Sequence, residues 1–133
     1  MSIAKLLNLK TIQDSRGNLT FIQNDSILNF EIKRVYYLHD IPFKSERGGH
    51  AHKNLQQLII PLSGSFNIYL NNGFSEETFF MSDPTKGLFV NNLVWREMRN
   101  FSSGSVCLVL ASELYYEEDY IRDFDEFIKY VSK

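Results

Sequence analysis

The chain holds a single cysteine, Cys107. A lone thiol closes no internal disulfide, so packing alone must hold the fold, as expected of a protein in a reducing cytoplasm. Set between Val106 and Leu108, it reads as a small buried hydrophobe. No uninterrupted apolar stretch approaches the ~18 residues of a membrane span. The start, Met1-Ser2-Ile3-Ala4-Lys5, lacks the apolar core and small-residue cleavage site of a secretory leader. A basic excess is missing too: 14 Lys and Arg stand against 16 Asp and Glu, a net charge of −2. No global positive field recruits nucleic acid or an anionic membrane, so an anionic ligand has to be met by a local cluster of cations. Neither a Pro/Gly/Ser linker nor a low-complexity run nor an internal repeat breaks the sequence. Its 133 residues are read as one domain, 1–133, long enough to bury a core.

What is present is a succession of short apolar or alternating runs separated by turn residues. Asp14-Ser15-Arg16-Gly17-Asn18 is a turn, followed by the strand Leu19-Thr20-Phe21-Ile22. Residues 31–38 are rich enough in β-branched and aromatic side chains to form a strand. Leu55 to Leu62 is mostly apolar and ends at Ser63-Gly64; Ser65 to Leu70 alternates and runs into the hairpin signal Asn71-Asn72-Gly73, with Glu77 to Met81 as the return. Residues 88–90, 94–98 and 106–111 add three more. Many short strands without βαβ alternation predict an all-β, antiparallel sandwich or barrel. The tail changes period: Ile121, Phe124, Ile128 and Val131 recur at steps of three and four. That spacing predicts an amphipathic C-terminal helix, with Glu117-Glu118-Asp119 at its start, where the helix dipole favours negative charge.

The most informative stretch is Arg47-Gly48-Gly49-His50-Ala51-His52-Lys53. Residues i and i+2 of a strand point to one face, so His50 and His52 would share one wall of a cavity. Imidazoles titrate near neutrality and can take and give protons; they are also metal ligands. A metal-binding cupin, a small β-barrel with His-x-His on an inner strand, adds a glutamate a few residues on and a third histidine from a later strand. Here the positions after His52 read Lys53-Asn54-Leu55-Gln56-Gln57, and the later strand carries Arg96. Arginine has no lone pair to donate. The remaining histidine, His39, follows the Tyr36-Tyr37-Leu38 strand, in a predicted loop. The pair therefore reads better as an acid/base device than as a metal site. Arg16, Arg34, Arg47 and Arg96, the last beside the chain's one tryptophan, Trp95, suit a ligand with a flat base and phosphates, through stacking and guanidinium forks.

Six segments, in order and across nearly the whole chain, carry a resemblance: Asp14-Ser15-Arg16-Gly17, Ile32-Lys33-Arg34-Val35-Tyr36-Tyr37, the block from Arg47 to Lys53, Trp95-Arg96-Glu97-Met98, Val109-Leu110-Ala111-Ser112 and Asp119-Tyr120-Ile121-Arg122. The sequence resembles the dTDP-4-oxo-6-deoxyhexose 3,4-ketoisomerases, small sugar-nucleotide cupins that supply 3-amino-3,6-dideoxy sugars for bacterial surface glycans. The resemblance implies a cupin jelly roll, a site without metal or cofactor, a dTDP-linked 4-oxo-6-deoxyhexose as substrate and a homodimer with exchanged N-terminal strands. Members usually carry Trp-His-Glu-Met where this chain has Arg96.

On that reading a ketone moves from C4 to C3 through an enediol by histidine acid/base catalysis. His52 is expected as the principal carbon base and His50 as its partner, with the reverse division open. Tyr37 is the expected donor to a sugar oxygen, and Arg47 the cation for enolate or pyrophosphate charge. Arg16, Arg34, Lys53, Trp95 and Arg96 form the expected nucleotide-holding group. A non-catalytic sugar-nucleotide binding module, with no need for paired histidines, and a metal-dependent cupin enzyme are the alternatives.

Overall fold

The computed structural model describes residues 3–25 and 27–133. Twelve strands and one α-helix follow in order. The strands are β1 Ala4–Asn8, β2 Lys10–Asp14, β3 Gly17–Phe21, β4 Arg34–Leu38, β5 Arg47–His52, β6 Gln57–Ser63, β7 Phe66–Asn71, β8 Glu76–Met81, β9 Lys86–Val90, β10 Trp95–Arg99, β11 Val106–Ala111 and β12 Tyr120–Ile121; helix α1 is Phe124–Val131. One sheet has the order β1-β9-β6-β11-β4, the other β12-β5-β10-β7-β8, and β2-β3 forms a hairpin of its own. Every pairing is antiparallel. The two five-stranded sheets pack as a jelly roll, the cupin architecture expected from the sequence.

Alternation builds the core between them. Phe66, Ile68 and Leu70 of β7 face inward with Met98, Val109, Leu88 and Ile59, all buried. Strand β6 reads Leu58-Ile59-Ile60 without a polar break because both its faces are covered. Ile59 looks into the core, while Leu58 and Ile60 meet Leu9, Leu28 and Leu110, with Phe30 and Ile32 packed against them. Residues that connect β3 to β4 thus roof the first sheet's outer face. Cys107 is fully buried, and burial pushes its thiol up to about 12, so it is inert packing.

Three local departures from the sequence reading have physical causes. Strands β1 and β2 precede the first expected turn; β1 has exposed and half-buried positions and gains its order from pairing with β9. The strand expected over 31–38 begins only at Arg34. Ile121 lies on no helix: Tyr120 and Ile121 pair with His52 and Ala51, because the open edge of β5 satisfies their backbone groups. Glu117–Asp119 is a single 3-10 turn, and α1 starts after Asp123, whose carboxylate caps the amide of Glu126 at 3.0 Å. The helix lies on the outer face of the second sheet, with Phe127 fully buried against Trp95, Ala51 and Ile121.

Candidate active site

Strand β5 reaches its position through a glycine step. Its register against β10 shifts between Arg96 and Glu97, a β-bulge, and Gly48 sits there at φ +89°. A Cβ on Gly48 would lie 2.9 Å from the Arg96 carbonyl oxygen, so only glycine permits this approach. Beyond the bulge, His50 faces Arg96 across the ladder, and both side chains turn inward with His52. The imidazoles of His50 and His52 stand edge to face, with centroids 4.8 Å apart; Tyr120 lies 5.0 Å from the first and 4.4 Å from the second.

The two histidines differ in setting. His52 is 1% exposed and its Nδ1 is 3.0 Å from Asp119 Oδ2. Asp119 in turn accepts the backbone amides of Asn54 at 2.7 Å and Leu55 at 3.3 Å, so its carboxylate is fixed. A carboxylate only accepts, which places the His52 ring proton on Nδ1 and leaves Nε2 as a lone pair. That Nε2 is buried and has no partner among the described residues. His50 is half-buried and lines a cavity of about 440 Å³ together with Arg34, Tyr36, Arg47, Tyr120 and Arg122. His50 thus meets the cavity, and His52 stands behind it.

Burial, and after it the Arg96 guanidinium, push His50 down to about 4. Burial first, then Arg96 and His50, holds His52 well below the usual imidazole range as well. Both rings are therefore neutral at pH 7. Arg96 is itself 1% exposed, and burial lowers it to about 10, so it stays charged. It donates to Gln57 Oε1 and, at 2.9 Å, to the Val94 carbonyl, and it makes no ion pair among the described residues. The position that would supply a third histidine ligand in a metal cupin is thus filled by a pure donor.

Other expected site residues are scattered. Arg34 and Arg47 reach the cavity, where Arg122 joins them, its guanidinium 4.2 Å from the Tyr120 ring centroid. Tyr37 does not: it is 60% exposed on the opposite side of β4, against the His39 ring, and Tyr36 takes the inward place. The signal was the strand period, since Arg34 and Tyr36 are two residues apart and share a face. Trp95 turns away from the cavity under α1, its ring 5.4 Å from Phe124 and 5.9 Å from Phe127. Strand alternation is again the reason, because Arg96 beside it points inward. Lys53 holds its ammonium 5.7 Å from the Tyr130 ring. Arg16 lies at the β2-β3 tip, bound to Asp14 at 2.7 Å. Asp119 and Gln57 had no local sequence signal, because only the fold brings them to the histidines and to Arg96.

A family model described as "FdtA: WxcM-like, C-terminal" matches residues 2–132. The chain belongs to this family. It is 45% identical, over 97% of its length and 93% of the relative's, to TDP-4-oxo-6-deoxy-alpha-D-glucose-3,4-oxoisomerase of Aneurinibacillus thermoaerophilus. A crystal structure of a 3,4-ketoisomerase from Helicobacter canadensis superposes with a TM-score of 0.94 at 45% identity, covering 98% of both chains. A His-to-Asn variant of the 3,4-ketoisomerase QdtA from Thermoanaerobacterium thermosaccharolyticum, in complex with TDP-4-keto-6-deoxyglucose, gives 0.95 at 42% identity, over 99% of this chain and 96% of that one. FdtA-family membership and the jelly roll agree with the resemblance read from the six sequence segments.

Proposed function

We propose that this FdtA-family chain is a sugar-nucleotide 3,4-ketoisomerase that moves the keto group of a dTDP-4-oxo-6-deoxyhexose from C4 to C3. The observation that carries the reading is a neutral imidazole, His50, at the cavity wall with a second, His52, packed behind it, beside three arginines of the lining, in a chain whose relatives bear that activity. A neutral His50 removes the C3 proton, which the adjacent carbonyl acidifies. The C4 oxygen gathers charge as the enediol forms and is met by the Tyr36 hydroxyl. A proton taken up by the C4 oxygen as the enediol forms and one returned to C4 balance those lost from C3 and from the C3 hydroxyl, with no net oxidation. His52, its Nδ1 tied to Asp119, keeps the Nε2 lone pair behind His50 as a proton acceptor. General acid–base help of this kind is worth about 10²–10⁴-fold.

Arg34, Arg47 and Arg122 at the cavity rim suit the diphosphate, as forked donors do. Glu117 holds Arg122 through hydrogen bonds of 2.8 and 3.0 Å, so a phosphate there would compete with a carboxylate. The reading extends to a homodimer with exchanged N-terminal strands. Its support is the separate β2-β3 hairpin, with Ile12 and Leu19 exposed, and the edge strand β4, with Val35 and Tyr37 exposed. Exchange would also give Arg16 a phosphate to bind. A cytoplasmic site of work and delivery of the 3-keto sugar to an amine-adding step for a surface glycan complete the proposal.

The test is NMR of the product formed from dTDP-4-oxo-6-deoxyglucose in deuterated water. A 3-keto product carrying solvent deuterium at C4 is expected, because the enediol exchanges its carbon-bound proton. An unchanged 4-keto sugar would overturn the reading.

A further inference from the structure

Gln57 is fully buried at the start of β6. Its amide joins the two groups that matter most to the carbonyl end of the site. Arg96 donates to Oε1 of that amide, and Nε2 of the same amide donates to the Tyr36 hydroxyl at 2.8 Å. The direction of this chain is forced. A guanidinium has donors only, so the amide must present its oxygen to Arg96 and is left to present its NH₂ to the phenol. The Tyr36 oxygen is then an acceptor on its inner side. Its own proton finds no acceptor among the described residues, and the ring lines the cavity. A cation at the far end of such a chain polarises each bond in turn, which strengthens the last donor.

We propose that Gln57 is a positioning residue: clamped by Arg96, it compels Tyr36 to point its hydroxyl proton into the cavity, at the sugar carbonyl oxygen. The proposal rests on the ketoisomerase reading and adds to it the residue that sets the polarity of the donor. An amide turned the other way would draw the phenol proton inward and leave the carbonyl without it. Arg96 is what forbids that turn.

Gln57→Glu separates this role from a structural one. A carboxylate accepts from both neighbours: it would pair the buried Arg96 and pull the Tyr36 proton towards itself. The expected result is a Tm equal to or above that of the wild type, with kcat lowered roughly 10²-fold, the cost of losing one oxyanion donor. KM should change less than about two-fold, since a donor to the developing charge acts in the transition state. Wild-type kcat in Gln57→Glu would overturn the proposal. A second arm uses Gln57→Met, Tyr36→Phe and the double variant. If the amide acts through the phenol, Gln57→Met does no further harm once Tyr36 is Phe; multiplying effects would overturn the coupling. Wild-type turnover by Tyr36→Phe would remove the tyrosine from the reaction and this proposal with it. The isomerase reading is judged separately, by the product the wild-type enzyme makes.

Discussion

At the scale of single residues, the site depends on keeping two imidazoles neutral beside an arginine. His50 meets the cavity with a proton affinity depressed to about 4 by burial and by Arg96. A base is useful when deprotonated, so the acid limb of kcat/KM belongs well below the ordinary imidazole value of 6.5. We expect kcat/KM to stay flat from pH 8 to 5.5; a limb centred at 6.5 would show that Arg96 and burial do not govern the ring. Stability has the matching sign. The unfolded chain takes up a proton near 6.5 that folded His50 refuses, so the contribution is complete above 6.5 and is lost as pH falls towards 4. For His50 alone this is worth roughly 3 kcal/mol. Thermal unfolding followed from pH 7 to 4.5 should show a falling Tm, with a shallower slope in His50→Asn. The His-x-His pair was legible in the sequence because a strand's period is two. Asp119, 67 residues from His52, was not, since no local rule ties an acid in a 3-10 turn to a strand's end.

Among elements, strand alternation decided which expected residues turn towards the cavity. Trp95 and Arg96 are neighbours, so one must point in and the other out, and the inward place went to the guanidinium. The indole lies instead under α1 and donates to Glu97 at 2.8 Å. Trp95→Ala is therefore expected to cost about 3–5 kcal/mol of stability, as a buried aromatic truncation does, while TDP affinity by calorimetry stays unchanged. A loss of TDP affinity without loss of stability would return the tryptophan to the nucleotide site. The helix itself was foreseen from its three-and-four spacing, but not its start. Ile121 satisfies the helical period, yet pairing with the open edge of β5 places it in a strand, a tertiary demand that outweighs local pattern.

For the whole molecule, the uneven covering of the surface points beyond one chain. The first sheet's outer face is roofed by residues between β3 and β4, and the second's by α1. The β2-β3 hairpin has no such cover, and Ile12 and Leu19 stand 57% exposed on it. Sedimentation should find a species of twice the 15.5 kDa chain. The double change Ile12→Asp and Leu19→Asp should shift it to monomer. A wild type that sediments as a monomer would end the exchange proposal.

By itself the sequence determined the antiparallel sheet class, the C-terminal amphipathic helix, the paired histidines and the local cluster of arginines. Those are properties of period, turn chemistry and residue type, all readable over a few positions. Tertiary structure decided the rest: that His50 and not His52 lines the cavity, that Tyr36 and not Tyr37 faces it, and that Asp119 reaches His52 while Gln57 joins Arg96 to Tyr36. Each of these is a contact between strands distant in the chain, set by how two sheets fold over one another, and the sequence does not encode such contacts locally.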